Sequence, residues 1–178
     1  MALGAAALQL AGFLLAHGLW TISELPAEGR YTPQALCETS GGERRLVSFD
    51  AADENVALAE ADAFMGSTAG QFAQCAFART DEVRTNQGAT ARALLIELTG
   101  REGDLTVLQA YRPAHAEGGF RLLGDELLLD MGGTVLPRAD ANPAIVSLRE
   151  GAADHPGLDE KWVEWNTGRD PANPLTQP

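Results

Sequence analysis

ARALLIELTGREGDLTVLQAYR, residues 91–112, is the stretch on which the fold class turns. Residues 91–98 and 104–112 flank Thr99-Gly100-Arg101-Glu102-Gly103, a short Gly-containing connection of the kind that closes a β-hairpin. In the first arm Leu94, Ile96 and Leu98 alternate with Leu95 and Glu97, the period of two that a pleated strand imposes. Glu97 reads there as a solvated strand-face carboxylate.

The same pattern continues on both sides. Upstream, residues 72–79 set Phe72, Gln74 and Ala76 against Ala73, Cys75 and Phe77, and a polar loop is expected over 80–90 around Asn86-Gln87-Gly88. Downstream, 120–123 and 126–130 read as short strands, or one strand bent at Gly124-Asp125. Earlier, 31–38 and 44–49 flank Ser40-Gly41-Gly42, another hairpin turn. Regular spacing of the strands from residue 72 on, without helices between them, predicts an antiparallel meander, and the whole sheet is expected to have five to seven mostly antiparallel strands. The expected class is α+β.

Two main helices are expected on one face of that sheet. The second covers residues 51–65, with Asp50 as N-cap, Asp53 and Glu54 in the first turn, and Val56, Ala59, Ala63 and Phe64 facing inward. Gly66 and Gly70 end it. A short helix is expected from Pro143, capped by Asn142 and anchored by Ile145, Val146 and Leu148. Another over 158–165 carries Trp162 and Trp165 three residues apart, hence on one face. Residues 1–167 read as one domain, and 168–178, with Pro171, Pro174 and Pro178, as a flexible tail.

The first helix, residues 2–22, has no charged side chain, and three readings compete for it. A secretory signal wants a basic start and small residues at the cut, yet Arg30 is the first cation and Leu14 stands where a small residue is needed. A membrane span of the required length is weakened by Gln9, His17 and three glycines. The favoured reading is a buried helix whose apolar face includes Leu3, Ala7, Leu10 and Leu14. The cytoplasm is therefore the expected location, with membrane anchoring or export through residues 2–22 as the alternative.

The chain of 178 residues carries 13 basic and 25 acidic side chains, a net charge of −12. That balance disfavours nucleic acid and anionic lipid and suits a partner with a basic surface. All the basic residues but Lys161 are arginine, and with the abundant Ala and Gly this resembles the coding bias of a GC-rich bacterial genome. Cys37 and Cys75 sit in strand-like segments. The expectation is two reduced thiols, with pairing as the alternative in an oxidising compartment.

No motif carries a specific chemistry. His17, His115 and His155 are too far apart in sequence for metal-ligand spacing, so no metal is expected, and His17 reads as a core or boundary histidine bonded to a carboxylate or backbone carbonyl. Ser67 in Gly66-Ser67-Thr68-Ala69-Gly70 is misplaced for a nucleophile elbow and follows a helix. Phosphate-loop glycine patterns do not occur, and no cofactor is expected. The candidate binding residues are Trp162 and Trp165 with their acidic neighbours Glu160 and Glu164, a segment able to dock in a groove or to close the core. The first functional expectation is a non-enzymatic, protein-binding chain, by analogy with small immunity-type or chaperone-like proteins. Beside it stand an enzyme built from scattered His and carboxylate groups and a membrane-tethered domain.

Overall fold

Alternation along the strands separates two faces, and each face is covered by a different set of helices. The computed structural model describes residues 4–68, 70–84, 88–100 and 103–171. In chain order the elements are α1 (Ala5–Ser23), β1 (Gln34–Glu38), β2 (Arg44–Ser48), α2 (Glu54–Thr68), β3 (Gln74–Arg84), β4 (Thr90–Gly100), β5 (Gly103–Arg112), β6 (Arg121–Leu129), α3 (Arg138–Ala153) and α4 (Asp159–Thr167). The strands form one antiparallel sheet in the order β2-β1-β3-β4-β5-β6. The α+β class and the strand count match the expectation.

Leu36, Ala76, Ala78, Leu94, Ile96, Leu98, Leu105 and Val107 point to the front face and merge with α1, α3 and α4 into the main core. There α1 lies against β3 and β4 and against α3. Leu10, Leu14, Leu15 and Leu19 are fully buried, so an apolar surface that in isolation resembles a membrane span is covered by protein. The crossing with α3 is close because Gly12 and Gly151 stand at it. A Cβ on Gly12 would lie 1.8 Å from the Leu148 carbonyl oxygen, and one on Gly151 2.0 Å from that of Gln9. Only glycine admits that approach.

The placement of α2 differs from expectation. Its buried residues, Ala57 and Ala61, pack with Ala35, Phe49 and Phe77. Ala35 and Phe77 are cross-strand partners that alternate with the front-face pair Leu36 and Ala76, so α2 covers the back of β1 and β3. The helix is also rotated: Val56, expected inside, is 49% exposed. Its cap is Asp53, whose carboxylate accepts from the Asn55 and Val56 amides at 2.8 and 3.2 Å, rather than Asp50.

Further differences have local causes. Residues 80–84 continue β3 because they pair with 90–94, although both are polar in part. α3 starts at Arg138 and takes Pro143 into its interior, rather than starting there. Cys37 and Cys75 are register partners on the back face and form a disulfide across a Cα–Cα distance of 4.1 Å, so the expected free thiols do not occur. α4 matches its expected range closely. Beyond it, Asp170 pairs with β6 through the Leu122 oxygen and the Gly124 amide at 2.9 and 2.7 Å. The start of the expected tail is therefore anchored to the sheet, and residues 172–178 lie outside the described part.

Candidate functional site

The sequence candidates divide between core and surface. Trp162 and Trp165 are 7% and 8% exposed and belong to the main core, with Trp165 at 5.0 Å from the Phe120 ring. Amphipathic spacing accounts for this: two aromatics three apart on a nine-residue helix make its inner face. Glu160 and Glu164 remain on the exposed side of α4. The tryptophans therefore point into the core and the two carboxylates to solvent.

A polar centre that the sequence reading did not anticipate lies at β6. Residues 124–126 bulge opposite Gln109 of β5, and Gly124 takes a φ of 65°, which glycine tolerates. The bulge turns the Glu126 carboxylate inward, where its side chain is 0% exposed. Arg169 Nη2 donates to it at 2.6 Å and Arg149 Nη2 at 2.7 Å. Arg169 Nη1 also donates to Gln109 Oε1 and to the Gly124 carbonyl, each at 2.7 Å, and Asn166 Oδ1 accepts from the same guanidinium. Burial pulls the Arg169 pKa down from its usual value, and the Glu126 charge opposes that shift. Every partner is supplied by the chain, so this network ties the end of α4 to the sheet. The available signal was an acidic pair after a glycine inside an otherwise apolar strand, Leu122-Leu123-Gly124-Asp125-Glu126-Leu127-Leu128.

The histidines are arranged differently from expectation. His17 Nδ1 lies 3.0 Å from His155 Nε2, with Phe13 and Trp20 rings beside the pair. His17 is thus bonded to a second histidine, not to a carboxylate or carbonyl. Burial lowers the pKa of both, and the neighbouring His155 lowers that of His17 further. His115 lines a small pocket with Tyr31, Tyr111 and Arg92, but no carboxylate lines it. An acid–base site of the scattered kind needs a histidine within hydrogen-bond reach of Asp or Glu, and among the described residues neither His17 nor His115 has one. The described residues also hold no group of three or more His, Cys, Asp or Glu able to bind a metal ion.

The charge distribution is the broader feature. From residue 46 to 78 the chain has five carboxylates, Asp50, Asp53, Glu54, Glu60 and Asp62, and no Arg or Lys. All five are exposed. Since α2 fully buries only Ala57 and Ala61 of its 15 residues, its outer surface presents Val56, Ala59, Glu60, Asp62 and Ala63 to solvent. Arg30 holds the approach to this helix by donating to the Ala51 and Ala52 carbonyls at 2.6 and 3.0 Å, leaving the carboxylates unengaged by it. Comparison of the chain with protein-family models, with curated proteins and with solved structures yielded no match in any of the three.

Proposed function

We propose that the chain is a non-enzymatic binding protein whose acidic helix α2 docks, by its outer side, a protein with a basic surface. The observation that carries this reading is the run of 33 residues, 46–78, with five exposed carboxylates and no cation. Like charges held this close raise the local potential, speed the encounter with a cationic surface and reject anionic ones. The exposed Val56 and the alanines of α2 supply a flat apolar centre inside that charge.

Capture of partners from the native cells by the tagged protein at low salt tests the reading. It is run beside the Glu54→Gln/Glu60→Gln/Asp62→Asn variant, whose substitutions are all exposed. A basic protein retained by the native chain and lost by the variant supports the proposal. Equal retention by both, or capture of acidic proteins, contradicts it.

We also propose a cytoplasmic location, on which three observations bear. Burial of α1 under α3 supports retention of that segment in the folded protein rather than use as an anchor or leader. The helix is nonetheless long and apolar enough to cross a membrane by length and composition. The Cys37–Cys75 bond favours an oxidising compartment instead. Thiol alkylation in intact cells before lysis separates the two: a labelled pair places the protein in the cytoplasm, an unlabelled pair outside it.

A further inference from the structure

A pocket of about 100 Å³ opens where the end of α1 and the loop after it meet β3, β4 and β5. At about 30 Å³ per water molecule it has room for a carboxylate and two or three carbons. One wall is apolar, made by Leu25, Pro26 and Pro113, and the other carries Thr80, Arg92 and Tyr111.

Two groups of the polar wall are available to a ligand. Tyr111 is 4% exposed, yet its hydroxyl makes no hydrogen bond with any described residue. Its neighbour Tyr31 is equally buried and donates to Gln34 Oε1 at 3.1 Å, whereas the Tyr111 hydroxyl, on the pocket wall, stays in contact with solvent and free to meet a ligand. Arg92 lies in register between Tyr111 and Glu82 but forms no ion pair with Glu82 or any other described residue. Arg92 is exposed at the rim of the pocket, so its guanidinium is open to an anion from solvent.

We propose that this pocket binds a short-chain aliphatic carboxylate, its headgroup held by Arg92 and the Tyr111 hydroxyl and its carbons by Leu25, Pro26 and Pro113. Burial raises the Tyr111 pKa, against a smaller opposite effect of Arg92, which keeps the phenol protonated and able to donate. The Tyr111 ring is positioned by stacking on Phe120 at 6.0 Å. A planar guanidinium paired with a carboxylate gives orientation as well as attraction. The pocket is independent of the acidic α2 surface, so either reading can fail alone.

The test is titration of the full isotope-labelled chain with acetate, propionate, butyrate, phosphate and sulfate at constant ionic strength, followed by amide NMR. Saturable shifts are expected around Leu25, Arg92 and Tyr111, with affinity rising about fourfold per added methylene, the effect of burying about 0.8 kcal/mol of CH₂. Arg92→Gln should weaken butyrate at least tenfold and Tyr111→Phe at least threefold, while Arg84→Gln, exposed and outside the pocket, should leave it unchanged. Tighter binding of phosphate or sulfate than of butyrate, shifts that do not saturate, or unaltered butyrate affinity in Arg92→Gln would each overturn the proposal.

Discussion

Replacing Glu126 by glutamine should be among the most destabilising changes at any polar position. The Glu126 side chain is 0% exposed and that of Arg169 11%, so the charge left behind on Arg169 cannot be rehydrated without opening the end of α4. Removing one partner of a buried ion pair costs about 3–5 kcal/mol. The lower part of that range applies here, because Gln109, Gly124 and Asn166 still accept from the Arg169 guanidinium. For a chain of this size each kcal/mol moves Tm by about 2–4 °C, so a fall of about 6–12 °C is expected. Thermal unfolding followed by circular dichroism, with urea melts to obtain the free energy, measures it. Changing both partners, Glu126→Leu with Arg169→Met, should recover most of the loss, since no buried charge then remains. A Tm within about 2 °C of the native chain in Glu126→Gln would refute the network's structural role.

Three further outcomes are expected. Gly12→Ala places a methyl 1.8 Å from the Leu148 oxygen, so α1 and α3 must separate; a loss of at least about 3 kcal/mol is expected in urea melts, and a loss under about 1 kcal/mol would mean that the two helices do not cross as described. Reducing the Cys37–Cys75 bond, which spans 38 residues, should cost about 2–4 kcal/mol, read as a lower urea midpoint in the presence of dithiothreitol. The two histidine pKa values are lowered on folding, so the unfolded chain takes up protons first: stability is full above about pH 6.5 and declines as pH falls below it. Melts between pH 7.5 and 5 should show this decline, and His17→Gln should lessen it; an identical slope in the variant would assign the effect elsewhere.

What could be read from the sequence was what depends on short-range periodicity. The hairpin around residues 99–103 was visible because alternation and turn glycines both lie within one window, and α4 because its two tryptophans mark a face. The side of the sheet taken by α2 was not, because both pairs, Ala35 with Phe77 and Leu36 with Ala76, are apolar and neither marks the front. Residues 80–84 read as a loop from their polarity, yet pairing with 90–94 decides their conformation, not burial. The start of α3 was hidden because no side chain caps it, while Asn142-Pro143 imitates a helix start. Long-range polar contacts left the weakest trace: His17 and His155 are 138 residues apart and Glu126 and Arg169 are 43 apart. Each reads alone as an ordinary surface or loop residue until the sheet brings the partners together.

The most direct test of the acidic docking surface is the association rate of the captured partner with the native chain and with the Glu54→Gln/Glu60→Gln/Asp62→Asn variant, measured across ionic strength. Screening lengths shrink from about 10 Å at 0.1 M salt to about 3 Å at 1 M, so the native rate should fall at least tenfold over that range. The variant should start lower and show a flatter dependence. A native rate indifferent to salt, or a variant that follows the native curve, would contradict the central claim that α2 binds its partner through charge.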